Sequence, residues 1–173
     1  MDVAVHGLPR LHRRMPADSS TDVEFSTDPK TAADFEFSTD ASRLDLDRVH
    51  RWLAEESYWA IGRPRAAQDA AIAASRNYGI YDRANGEQLA YARVVTDGVT
   101  FAWLCDVFVS VEARGRGVGV ALIEGVMASL GPLGLRRIAL TTGDAHGLYE
   151  KFGFHSLDHP EQWMARAGTA DHD

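Results

Sequence analysis

Between residues 77 and 110 the chain reads "NYGIYD", "EQLAYARVVTD" and "TFAWLCDVFVS", three β-prone stretches separated only by "RANGE" and "DGV". Asn85-Gly86 and Asp97-Gly98 are dipeptides that tolerate positive φ, as a tight hairpin demands. Three consecutive strands joined in this way form an antiparallel meander. That excludes an all-helical fold and a purely doubly wound parallel sheet. The next segment, "VEARGRGVGVALIEG" from residue 111 to 125, opens a helix expected from about Gly117 to Leu130. Val118, Leu122 and Val126 together with Ile123, Met127 and Leu130 make it apolar nearly all round, so it is buried along much of its surface.

The rest of the chain fits around this centre. "DFEFST" alternates like a short strand, and "DLDRVHRWLAEES" sets Leu46, Val49 and Leu53 at helical spacing with Asp45 as a candidate cap. A loop, "SYWAIGRPR", leads to the helix-prone "AAQDAAIAAS". Downstream, "RRIALTT" reads as a strand, "DAHGLYEKF" as a short helix, and "GFHSL" and "EQWMAR" as two last strands. The expected fold is a mixed α/β (α+β mixed-sheet) domain of order β-αα-βββ-α-β-α-ββ over residues 34–167. Residues 1–33 read as a proline-interrupted tail and 168–173 as a short C-terminal tail. "EFSTD" occurs at 24–28 and again at 36–40, too short an echo for a solenoid repeat. It is either a slipped duplication or a spare copy of the first strand.

With 173 residues the chain supports one core. No apolar run approaches the ~20 residues of a membrane span, and "RLHRR" lacks the apolar stretch of a secretory signal. A net charge of −7 argues against nucleic acid as the main partner and suits a cationic acceptor such as an amine. The single cysteine, Cys105, fits a reducing, cytoplasmic setting.

Three phosphate-binding patterns compete for the glycine segment. A P-loop needs lysine and then serine or threonine after its second glycine, but Val118 and Val120 stand there. A dinucleotide fingerprint fits Gly115 and Gly117 and then fails at Val120. The third pattern, Arg114-x-x-Gly117-x-Gly119, lies between a strand and a helix N-terminus. Free backbone N–H groups, a positive dipole end and close backbone approach at glycine there suit a pyrophosphate, with Arg114 and Arg116 adding charge. A second segment, "TTGDAHGLYEKFGF", carries Ala145, Tyr149, Lys151, Gly153 and Phe154.

The two segments together resemble the coenzyme-A-binding signature of the GNAT family of N-acetyltransferases, and the resemblance covers residues 34 to 166. It implies a GNAT-like acyl-CoA N-acyltransferase fold with acetyl-CoA as co-substrate, no metal and no covalent enzyme intermediate. It further implies that the backbone of Val107, Phe108 and Val109 pairs with the pantetheine amides, as an added strand does. Main-chain groups of Arg114, Gly115, Arg116, Gly117, Val118 and Gly119 would hold the pyrophosphate, with Thr142 and Ala145 beside the coenzyme. Thr142 stands where the family often has asparagine.

Tyr149 matches the family's general acid for the departing thiolate. Two roles are open to Asp106 among its apolar neighbours: a base acting on the amine, directly or through water, or a carboxylate satisfying groups where two strands part. His146, three residues before Tyr149, is a candidate proton relay or a solvated residue. Tyr58 and Trp59 sit in the loop that borders the acceptor pocket in this family, and aromatic faces suit ammonium groups. Trp52, Trp103 and Trp163 read as packing residues. The expected function is acetyl transfer from acetyl-CoA to the primary amine of a small molecule, with a homodimer by analogy to relatives. The rivals are protein N-terminal or lysine acetylation, and an acyl-CoA-binding sensor.

Overall fold

A computed structural model describes residues 34–166 and 168. The tail expected at 1–33, including the first "EFSTD", therefore lies outside the described residues. Five strands, β1 (Phe35–Ser38), β2 (Arg76–Asp82), β3 (Gln88–Thr96), β4 (Phe101–Val109) and β5 (Arg137–Ala139), form one sheet in that order. β1 to β4 are antiparallel and β5 is parallel to β4. The expected meander is β2–β3–β4, with Gly86 (φ 74°) and Gly98 (φ 75°) in its turns.

Helices α1 (Leu46–Glu56) and α2 (Arg65–Ala73) cover one face of the sheet, and α3 (Val118–Leu130) covers the other. Asp45 caps α1 as expected, its carboxylate accepting from Arg48 N at 2.9 Å. The main core lies between α3 and the sheet, where Val118, Leu122, Ile123, Val126 and Leu130 meet Tyr78, Ile80, Ala92, Val94 and Leu104. The second core, under α1 and α2, contains Val49, Trp52, Leu53, Tyr91 and Phe108. Trp52 stacks on Phe108 with ring centroids 5.4 Å apart, so its packing role holds. The second "EFSTD" forms part of β1, and its Phe37 ring lies where a side chain on Gly125 of α3 would stand.

The last two strands expected from the sequence do not form. Gly153 takes φ 82° directly after the short helix α4 (His146–Tyr149) and its one-turn extension. Residues 153–166 then run without a strand, with a single turn at Pro160–Gln162. The left-handed Gly153 turns the chain at the start of the first candidate, Pro160 opens the turn that takes up the start of the second, and β5, the edge strand, ends after three residues. Trp163 is partly exposed, with the Arg137 guanidinium 5.3 Å from its ring centre.

Candidate functional site

The site begins at an irregularity in β4. Tyr91 pairs with Phe108 and Arg93 with Cys105, so a single β3 residue, Ala92, stands opposite Asp106 and Val107. This is a β-bulge, and Asp106 has φ 52°, the only non-glycine residue with positive φ among the described residues. Aspartate and asparagine are the side chains that enter this region most easily. The bulge resets the alternation of the strand. Leu104 faces α3, whereas Phe108 beyond the bulge faces α1 and Val107 and Val109 pack toward α3.

Past Trp103 the strand also loses its parallel neighbour. β5 pairs only with Phe101, Ala102 and Trp103, and from Leu104 to Val109 the β5 side of β4 has no partner strand among the described residues. That edge leads straight to the glycine segment. Gly115 (φ 73°) and Gly117 (φ 81°) are left-handed, and the space over both Cα atoms is open to 4 Å. Gly117 is the N-cap of α3 without any side-chain cap, so the N–H groups of Val118, Gly119 and Val120 stay free of helical partners. Arg114 turns back, donating from Nε to the Val109 carbonyl at 3.2 Å. The Arg116 guanidinium lies over the Phe35 ring, and one of its Nη nitrogens is buried without a partner among the described residues.

A cleft of about 570 Å³ opens beside the bulge. Tyr149 borders it, buried to 7% exposure, with its hydroxyl making no hydrogen bond among the described residues. Burial, then the nearby Asp144 and Tyr58, push its phenol up to about 12, so it carries its proton throughout the neutral range. Thr142 and Ala145 line the same cleft, and the Thr142 hydroxyl accepts from Ala145 N at 3.0 Å, shaping the entry to α4. Tyr58 and Trp59 flank the opening, edge to face at 4.9 Å. The Tyr58 hydroxyl accepts from Gly143 N at 3.0 Å, tying the loop after α1 to the loop after β5. Trp59 is 42% exposed at the cleft margin, so it does not plug the core.

Three sequence expectations change here. His146 is exposed at the first position of α4 and does not line the cleft. Trp103, expected to be packing, is half-buried and forms part of the cleft wall. Asp106 is held in a pair of ion contacts: Oδ2 accepts from Arg63 Nη1 at 2.7 Å and from Arg93 Nε at 2.9 Å, and Oδ1 from Arg63 Nη2 at 3.1 Å. Burial alone would raise its pKa, but hydrogen bonding to Arg63 and the charges of both arginines outweigh that and hold it below the usual carboxylate range. A carboxylate so stabilised is a weak proton acceptor. Arg63 and Arg93 were not singled out from the sequence, because they lie 43 and 13 residues from Asp106 and form no local motif. Cys105 also reaches the cleft, and burial pushes its thiol up to about 11, which disfavours a thiolate nucleophile at neutral pH.

The site thus combines a helix N-terminus with no side-chain cap, glycines open above it, an unpaired strand edge and a protonated tyrosine in the neighbouring cleft. Comparison with known proteins gives the family. Residues 46–154 match the model of the Acetyltransferase (GNAT) family, and the chain belongs to that family. A curated protein of Gibberella zeae, named "Putative acetyltransferase", is 30% identical over 139 residues, covering 70% of this chain and 78% of its own. A solved structure from Xanthomonas campestris pv. campestris, ascribed to the GNAT family, is 44% identical with TM-score 0.73, covering 78% of this chain and 93% of that one. Glucosamine-6-phosphate N-acetyltransferase of Arabidopsis thaliana shares the fold alone, at 15% identity and TM-score 0.55, covering 77% of this chain and 97% of that one. No helix among the described residues is long and apolar enough to cross a membrane.

Proposed function

We propose that this acetyltransferase uses acetyl-CoA and transfers its acetyl group directly to the primary amine of a small molecule. The observation that carries the reading is the edge of β4 left unpaired beyond Trp103, which passes the cleft bordered by Val107 and Tyr149 and ends at Val109, shortly before the glycine segment and the uncapped N-terminus of α3. The residues present fit the coenzyme. Free N–H groups at Val118, Gly119 and Val120, with the open faces of Gly115 and Gly117, suit a pyrophosphate. Arg116, half-buried with its guanidinium over the Phe35 ring, adds positive charge beside the loop. The backbone of Val107 and Phe108 offers an edge for the pantetheine amides.

Acetyl-CoA supplies an activated thioester carbonyl. The chain's own residues do the rest. Tyr149 keeps a proton available at its phenol oxygen for the sulfur that leaves. Trp103, Trp59 and Tyr58 shelter the acceptor. Asp106 fixes Arg63 and Arg93 rather than taking the amine's proton, which leaves that proton to water in the cleft. A single, half-buried thiol at Cys105 accords with the reducing cytoplasm as the place of action.

The test is thiol release from acetyl-CoA against a panel of amines, with coenzyme binding measured in parallel. The Tyr149→Phe variant is expected to lose roughly 10²- to 10⁴-fold in kcat while binding acetyl-CoA as before. An undiminished rate in that variant removes Tyr149 from the chemistry. Tight acetyl-CoA binding with no thiol release from any amine turns the reading into that of a sensor.

A further inference from the structure

The floor of the cleft is the part of the β3–β4 face that α1 and α2 leave uncovered, and it is apolar except at one point. Val95, Trp103 and Cys105 surround Arg93, and Arg63 enters from the loop before α2. Two guanidinium groups face one buried carboxylate whose two oxygens are both occupied. One positive charge is therefore left over at the cleft floor.

The exposures show which way that charge faces. The Asp106 side chain is 3% exposed, whereas Arg63 is 22% and Arg93 14% exposed, so the carboxylate lies behind and the guanidinium edges reach the cleft. A guanidinium has five N–H donors in a fixed fork. Arg63 gives Nη1 also to Gln68 Oε1 at 2.7 Å, and Arg93 gives Nη1 to the Ser75 hydroxyl at 3.1 Å. Arg93 Nη2 and Arg63 Nε have no partner among the described residues. The remaining charged group at the cleft, Asp144, is exposed on the opposite loop and pairs with neither arginine. A half-buried, uncompensated cation beside apolar walls is unfavourable by itself and is matched by an anion.

We propose that the acceptor is an amine that also bears a carboxylate, an amino acid or a close analogue, with its carboxylate on the free donors of Arg93 and Arg63. The inference rests on the acetyl-transfer reading above and names the class of acceptor for the same site. A carboxylate, with two anionic oxygens, can accept from one free donor of each arginine in a way a hydroxyl or an alkyl chain does not. Val95 and Trp103 then face the substituent of the amino acid, and the amine points toward the Tyr149 side. In the transfer, the amine nitrogen forms a bond to the acetyl carbon as the carbon–sulfur bond breaks. The amine's proton passes to water, and the sulfur takes the proton of Tyr149, which water restores.

The experiment pairs each amino acid with its decarboxylated amine (phenylalanine with phenethylamine, tryptophan with tryptamine, ornithine with putrescine) and adds phosphoethanolamine. For the wild type, kcat/KM is expected to favour the carboxylate member of at least one pair by about 100-fold, mostly through KM. Arg93→Gln should reduce that preference at least ~10-fold while acetyl-CoA affinity is retained. Arg93→Lys keeps the charge beside Asp106 but loses the separate Nη2 donor, and should also weaken the preference if the glutamine variant fails to fold. A readout independent of turnover is the affinity of the N-acetyl amino acid product relative to the N-acetyl amine, which should shift in the same sense. Equal rates within every pair, or a preference for the plain amine or the phosphate, overturn the proposal and leave acetyl transfer intact. Coenzyme binding with no thiol release from any member overturns the transfer reading, and the acceptor proposal falls with it.

Discussion

Replacing Asp106 by asparagine removes a charge and little else. Asparagine tolerates the φ of 52° at the bulge nearly as well as aspartate, so the backbone has no new strain to absorb. What is lost is the anion between Arg63 and Arg93, whose contacts run from 2.7 to 3.1 Å. Removing one member of a buried charged network costs about 3–5 kcal/mol, and the partial exposure of both arginines puts this case near the lower end. A loss of ~3 kcal/mol corresponds to a Tm lower by about 10 °C in a chain of this size. Asp106→Ala should lose about 1–2 kcal/mol more, since alanine is strained at positive φ.

The pH dependence gives the sharper check. The folded pKa of Asp106 is depressed, so its contribution is complete above the unfolded value near ~3.9 and is lost as pH falls through the lower folded value. The stability gap between wild type and Asp106→Asn should hold from pH 7 to pH 5. Below pH ~4 it should narrow, as the unfolded carboxyl takes up its proton before the folded one does. Urea unfolding at these pH values measures both quantities. A gap below ~1 kcal/mol at pH 7, or one that stays constant down to pH 3, would refute the assignment of Asp106 as the anion of this network.

Other perturbations have defined outcomes. Gly117→Ala forces a side chain into left-handed backbone at the start of α3, costing about 1–2 kcal/mol, and should raise the KM for acetyl-CoA more than it lowers kcat. Gly125→Ala gains about 1 kcal/mol of helix propensity but places its Cβ where the Phe37 ring lies. Overpacking of about 1–3 kcal/mol should give a net loss in a denaturant titration, and a more stable protein would show that β1 yields freely. Asp45→Ala removes the cap on Arg48 N and should cost about 1 kcal/mol with kcat unchanged in the thiol-release assay.

The meander and α3 were legible because their signals are local. Hairpin dipeptides place the turns at Gly86 and Gly98, and α3 declares itself by being apolar on every side. The glycine segment before α3 was legible for the same reason, as glycines at fixed offsets before a helix. The bulge was not. Leu104, Asp106 and Phe108 alternate as an ordinary strand would, and nothing in that period reveals that Phe108 ends on the opposite face. The one available signal was an aspartate inside an apolar strand, in a residue type suited to positive φ. Trp103 and the arginines were missed because their role depends on where α1 and α2 stop covering the sheet, which is a matter of tertiary packing. "GFHSL" and "EQWMAR" have the composition of strands, but pairing also requires an available neighbour, and β5 ends after three residues.

The stretch of β4 beyond Trp103 has no strand partner on its β5 side among the described residues, and an unpaired edge of that kind invites another chain to add on and start an aggregate. A ligand that borrows this edge also blocks it. Coenzyme supply would then govern the shelf life of the protein as well as its turnover: preparations stripped of CoA should clump sooner than saturated ones at the same temperature.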